Sequence, residues 1–351
     1  MMVAPIDDRP AGVAIKTHIS IIPADRSRYD GYPINLGDAL LADALATALE
    51  TRGRVVDVLD FGGGDRRDTR SRVRLHSFSG LVRHLRSVDL AVVGGGTLIQ
   101  HEAHGLFRAG LPRFVFLVSL AAWLAGTPMV LFAVGCDPVA SRTSRIIYRL
   151  ALWRRPVWVR DEASLDRVAN YFRADVRLAA DASLFLWEDK EGAVERDGSV
   201  LVALNFHDAA KTDQATIQCL RALGEPRYLN MHQDECRLDT DSFPIELVDR
   251  SEVVPSPIDW TTGAMAIGVA GSVVASRMHA LYLAAILGTP MIATSDSAKV
   301  RAFAAEFEVP YVGDLVRISS VTPKRADTKA LMLARSRLDS QLDAMLLLCG
   351  A

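Results

Sequence analysis

Apolar and polar positions along the chain fall into alternating strand-like and helix-like blocks. Val13 to Ile22 is a β-branched run and reads as the first strand. Beyond a polar loop with Pro23, Gly31 and Pro33, the Asn35-Leu36-Gly37-Asp38 stretch predicts a helix start, with Leu41, Leu45, Ala48 and Leu49 on one face. Val55 to Leu59 is the next strand, and Gly62-Gly63-Gly64 with an Arg-rich segment leads to a helix near Phe78 to Arg86. Asp89 to Val93 predicts a third strand that stops at Gly94-Gly95-Gly96. Strands are predicted again at Val157 to Arg160 and Val176 to Ala179, with a helix from Glu162 to Phe172 between them. After Asp181 the pattern loosens, then resumes at Val200 to Asn205 and runs to about Val312. Its clearest parts are the strand Val273 to Ser276, the helix Met278 to Leu287 and the strand Met291 to Thr294. A final amphipathic helix is predicted over about Lys324 to Leu348.

Alternating strands and helices predict parallel sheets covered on both faces. Leu124-Ala125-Gly126-Thr127-Pro128-Met129-Val130 returns as Ile286-Leu287-Gly288-Thr289-Pro290-Met291-Ile292. Either the halves are alike, or Gly-Thr-Pro is simply good helix-to-strand turn chemistry. The fold expected is α/β, with two Rossmann-like domains facing a cleft and ligands at the carboxyl ends of the strands. The divisions expected are residues 1–190, 191–323 and a C-terminal helix over 324–351.

A length of 351 residues exceeds what one core usually fills, which agrees with two domains. The charged fraction of 23% and net charge of -2 exclude disorder and give no bias toward nucleic acid. The four cysteines, Cys136, Cys219, Cys236 and Cys349, form no C-x-x-C pair, so neither a disulfide framework nor a zinc site is expected, and a reducing, cytoplasmic setting is the default. Phe114 to Cys136 is uncharged and long enough to span a bilayer, but Gly126-Thr127-Pro128 divides it into a helix and a strand. The basic segments Arg66 to Arg86 and Arg142 to Arg155 read first as solvated faces, with anionic lipid head groups or diphosphates as the alternative.

Candidate chemistry gathers where strands end. Gly94, Gly95 and Gly96 permit close backbone approach to an anion, or are only a tight turn; neither G-x-G-x-x-G nor a P-loop is present. Asn35 and Asp38 read as helix caps, or as cleft-facing side chains. Arg277 and His279 stand where the buried run Val273-Val274-Ala275 becomes an apolar helix. Arginine there must be paired or face a ligand, and the helix start favours an anion. His279 is then placed to act as acid or base. Lys299 and Arg160 follow other strands, and Asp181 ends another, where it could cap or hold a sugar hydroxyl. His101 and His104 lack the spacing of a zinc pair, and no metal is expected.

In order, Asn35-x-Gly37-Asp38, Asp89 to Gly96, Ala133 to Pro138, Val159 to Ser164, Asp181, Arg277-Met278-His279-Ala280, Gly288-x-Pro290 and Lys299 together resemble the polysaccharide pyruvyl transferase family. The resemblance spans nearly the whole chain and implies a fold of the two-domain glycosyltransferase-B type. It implies transfer of a pyruvyl group from phosphoenolpyruvate to a saccharide diol of a cell-surface or exopolysaccharide precursor, lipid-linked and met at the inner face of the membrane. A ketal forms and phosphate is released, with no cofactor beyond the donor. On that resemblance Arg277, Arg160 and Lys299 hold the donor's phosphate and carboxylate. His279 moves the proton, and the glycine turn with Asn35 and Asp38 lines the opposite wall. Two other functions fit the same scaffold: a nucleotide-sugar glycosyltransferase or epimerase, and a non-catalytic partner in polysaccharide assembly.

Overall fold

A computed structural model describes residues 17–24, 28–62, 67, 70–100, 110–172, 174–189, 195–235, 237–244 and 246–351. Two parallel sheets form the frame. The first contains β1 (His18–Pro23), β2 (Val55–Asp60), β3 (Val73–Arg74), β4 (Leu90–Gly94), β5 (Met129–Val134), β6 (Val157–Val159) and β7 (Val176–Leu178), side by side in the order β3-β2-β1-β4-β5-β6-β7. The second contains β8 (Ser199–Ala203), β9 (Glu225–Tyr228), β10 (Ser272–Ala275), β11 (Met291–Thr294) and β12 (Tyr311–Val312), in the order β9-β8-β10-β11-β12. Every pairing in both sheets is parallel. Central strands such as β4, β5 and β10 are buried along their whole length, which is why they read as unbroken apolar runs.

The helices are α1 (Leu36–Thr51), α2 (Phe78–Leu85), α3 (Leu111–Ala125), α4 (Arg142–Ala151), α5 (Glu162–Phe172), α6 (Phe206–Ala209), α7 (Gln214–Leu223), α8 (Trp260–Val269), α9 (Met278–Ile286), α10 (Ala298–Glu306) and α11 (Thr328–Leu348). Alternation of strands with helices gives the expected α/β architecture of two Rossmann-like domains. The β-branched run from Val13 begins outside the described residues, as do His101, His104 and Cys236. Helix α11 begins at Thr328, capped by Asp327, rather than near Lys324. The reason is that the Lys324 backbone pairs with Met291 as an added edge to β11.

The repeated Gly-Thr-Pro turns are built alike. Gly126 ends α3 at φ 76°, and Gly288 follows α9 at φ 64°, the left-handed conformation that glycine adopts without strain. The Thr127 hydroxyl donates to Leu85 O, and the Thr289 hydroxyl to Ile267 O, each reaching the last turn of the neighbouring helix. Both residues thus tie two helices to the following strand, which supports alike halves. Among the described residues no helix is long and apolar enough to cross a membrane. The uncharged stretch after Phe114 divides at Gly126 into α3 and β5.

Helix α1 joins the halves. It is buried on nearly all sides, packing on the first sheet and against α8 and α9 of the second domain. At the end of the chain, α11 returns to the first domain. Arg335 Nη1 donates to the carbonyls of Leu184, Phe185 and Trp187, and Arg52 pairs with Asp339 and Asp343.

Candidate active site

In each sheet one pair of neighbouring strands sends its connections in opposite directions. In the first sheet the pair is β1 and β4; in the second it is β8 and β10. Such reversals leave a crevice at the carboxyl ends of the strands, where open α/β sheets take ligands. The two crevices here open onto one another. A cavity of about 410 Å³ is lined by Ala24 after β1, Thr97 after β4, Asn205 after β8, and Ser276 and Arg277 after β10. Asn35, Asp38, Gln100, Arg160, His279, Ser297 and Lys299 complete its polar wall, beside Met231 and Met278.

Six of the ten site residues expected from sequence therefore meet on this cavity: Asn35, Asp38, Arg160, Arg277, His279 and Lys299. Asn35 is also the N-cap of α1, its Oδ1 accepting the Gly37 N–H at 3.0 Å, so the capping and lining roles coincide. Gly94, Gly95 and Gly96 are not among the lining residues, which corrects the expectation that they face a ligand. Their bare Cα atoms admit α1: a Cβ on Gly95 would stand 2.6 Å from Leu41 Cβ, and one on Gly96 2.6 Å from Asp38 Oδ1. Both adopt φ near 77°, so the turn is a packing device that brings Asp38 to the wall. Asp181 is likewise not on the cavity. It is fully buried, caps the short helix that follows, and accepts from Ser183 and from Arg160 Nη1 at 3.2 Å.

Each of the three cations is held by a carboxylate. Arg160 is buried, with Nη1 on Asp181, Nη2 donating to Thr97 Oγ1 at 3.1 Å and Asp161 3.6 Å from Nε. Gly135 leaves room for it, since a Cβ there would lie 3.0 Å from the guanidinium. Arg277 reaches Asp239 through Nε at 3.0 Å and through Nη2, so it is paired within its own domain. Its Nη1 makes no hydrogen bond among the described residues. Lys299, in the first turn of α10, crosses between domains to Asp137 and to Thr97 Oγ1. Burial, with Arg160 nearby, lowers its pKa. Thr97 thus accepts from cations of both domains.

His279 differs from the three cations. Its Nε2 is buried and has no hydrogen-bond partner among the described residues. Burial drives its pKa down to about 4, reinforced by Arg160, Arg277 and Lys299 and opposed by Asp181. The imidazole is therefore neutral near pH 7 and able to accept a proton. The ring lies against α1, where a Cβ on Gly37 would come within 1.8 Å of Nδ1. Gly37→Ala is accordingly expected to push the ring from its place and cost at least about a hundredfold in turnover with little loss of fold. Steady-state rates alongside circular dichroism test this, and an unimpaired variant would show that the ring's position is unimportant. Cys136 is no rival nucleophile, because burial pushes its thiol up to about 12.

Past Arg160, Met278 and Lys299 lies a second chamber, also of about 410 Å³, walled by Leu178, Tyr282, Phe303, Glu306 and Arg337 among others. Tyr282 is buried, yet its hydroxyl has no hydrogen-bond partner among the described residues. Among those residues no group of three or more histidines, cysteines and carboxylates converges as a metal site would.

Two parallel-sheet domains with a shared cavity at their reversals define a two-domain α/β scaffold of the glycosyltransferase-B kind. The likeness to solved structures agrees. UDP-GlcNAc 2-epimerase from Neisseria meningitidis, bound to UDP-GlcNAc, superposes with a TM-score of 0.53 at 11% identity, covering 94% of this chain and 99% of that one. The enzyme of that name from Methanocaldococcus jannaschii gives 0.52 at 12% identity, covering 92% and 93%. At these identities the likeness is one of fold. No curated protein matches the sequence significantly. The sequence model of the polysaccharide pyruvyl transferases, however, matches residues 35–297. The chain belongs to the polysaccharide pyruvyl transferase family.

Proposed function

We propose that this chain transfers a pyruvyl group from phosphoenolpyruvate to a saccharide diol of a cell-surface polysaccharide precursor, forming a ketal. The observation that carries the reading is the meeting of Arg160, Arg277, Lys299 and His279 on one cavity at both strand reversals, with no hydrogen-bond partner for the buried His279 Nε2 among the described residues. A donor with about three negative charges suits cations fixed in advance by Asp181, Asp239 and Asp137, which need no reorganisation to receive it. The start of α9 adds free N–H groups and partial positive charge on the same wall.

The donor's methylene carbon takes a proton and its C2 becomes cationic. One sugar hydroxyl adds there, and neutral His279 removes that hydroxyl's proton. The C–O bond to phosphate breaks, and the second hydroxyl closes the ketal. Of the two hydroxyl protons released, one balances the new methyl group and the other leaves on phosphate. The second chamber is the acceptor's place in this scheme. Its Tyr282 and Phe303 offer an aromatic wall, the Tyr282 hydroxyl a hydrogen-bonding group, and Lys299 and Arg160 line it as they line the first cavity.

Phosphate release is expected only when phosphoenolpyruvate and a saccharide precursor are both present, and phosphoenolpyruvate alone should raise the melting temperature. Stabilisation by a uridine or guanosine diphosphate sugar instead, with no release from any precursor, would replace this function by a nucleotide-sugar one. Silence toward both ligands, with a protein partner co-purifying, would favour a non-catalytic role in assembly.

A further inference from the structure

Large apolar side chains stand in water along one flank of the first domain. Trp123 and Leu124, in the last turn of α3, are 70% and 44% exposed; Ile146 and Leu150 on α4 are 58% each, and Trp153 just beyond α4 is 69%. Tryptophan seldom stands so far from a core. The five stand on or just beyond two neighbouring helices. Helices α3 and α4 pack together, and the Ser119 hydroxyl of α3 donates to Ala151 O of α4 at 2.8 Å, which sets the two tryptophan-bearing ends beside each other. The flank's charge is one-sided. Arg142, Arg145, Arg149 and Arg154 are exposed on or just after α4, and exposed Arg86 reaches Leu124 O from α2. None of these five forms an ion pair among the described residues, and Arg154 lies over the Trp153 ring. Between Gly110 and Arg160 the sequence has one carboxylate, Asp137, and that is held by Lys299 at the cleft.

We infer that this α3–α4 flank seats the enzyme on a bilayer carrying anionic lipids, with Trp123, Trp153, Leu150 and Ile146 entering the interface and the arginines meeting head-group phosphates. Tryptophan favours the head-group level of a membrane, and cations beside an apolar face make such contact selective for anionic lipid. A second copy of the chain is a poorer occupant, because a two-fold contact would set this unpaired arginine cluster against itself. The ends of α3 and α4 lie at the amino edge of the first sheet, opposite the strand ends that line the cavity. The flank therefore acts as a mooring and leaves the cleft open.

Sedimentation of the intact protein with phosphatidylcholine vesicles, with and without phosphatidylglycerol, tests the inference. Binding is expected to the anionic vesicles only, to weaken as salt is raised, and to shift tryptophan emission to shorter wavelength. Trp123→Ser with Trp153→Ser should weaken binding roughly tenfold or more, and Arg142, Arg149 and Arg154 each changed to Gln should cost about fivefold apiece. Unchanged circular dichroism and melting temperature would show that these exposed positions leave the fold alone. Binding that ignores lipid charge, no binding at all, or variants that bind as the parent does would each overturn the inference. So would a dimer in sedimentation velocity that the tryptophan substitutions abolish, since the patch would then belong to a second copy.

Discussion

An Arg160→Gln variant is expected to lose turnover and about 3–5 kcal/mol of stability together. Arg160 is buried, and Asp181 behind it is wholly enclosed, so removing the cation leaves a carboxylate supported, among the described residues, only by Ser183. Such an orphaned charge is far costlier than the pair itself. The two roles can be separated by changing both partners, as in Arg160→Met with Asp181→Leu. That pair of changes should recover much of the lost stability, because no charge is then buried alone, while turnover stays absent. Denaturant midpoints and phosphate release measure the two effects. A single variant as stable as the parent would mean that water or another group already supports Asp181. Restored turnover in the double variant would remove Arg160 from the donor site.

His279→Ala should abolish turnover for a different reason and leave a different trace in acid. In the unfolded chain the imidazole titrates near 6.5, and in the fold, burial holds it at about 4. Between those values the unfolded chain binds the extra proton. The contribution of this group is therefore complete above about 6.5 and is lost as the pH falls toward 4. The alanine variant should show a shallower decline over that window. A trianionic donor beside the ring would raise its pKa, so donor binding near pH 6 should take up protons in the parent and not in the variant. Calorimetry in two buffers of different ionisation enthalpy reads that difference. Equal acid limbs, or equal proton uptake, would mean that His279 is not the group that titrates.

What the sequence displayed well were features of single elements. Buried parallel strands show as Val- and Ile-rich runs, and a charged residue directly after such a run, as at Arg160 or Arg277, has few places to go except the strand end. Helix α4 was hidden because its arginines occupy the exposed side, leaving only Tyr148 and Ala151 to mark the buried one. Thr97 and Asn205 gave no signal, since a threonine after a glycine turn and an asparagine before a helix are ordinary turn and cap residues. Asp239 was beyond reach for another reason. It lies 38 residues from Arg277 in an irregular segment whose path no periodicity records. The glycines were conspicuous, but composition alone does not distinguish a backbone bared for a ligand from one bared for a neighbouring helix.

Lys299 stands on one half of the molecule, whereas both groups it holds, Asp137 and Thr97, stand on the other. Any swing that parts the two sheets must break those contacts together and carry one of the three positive charges away from the other domain's Arg160. On the proposed reaction, a polyanion would be gripped most firmly with the jaws shut, and the departure of phosphate would be tied to widening of the gap through that ammonium group.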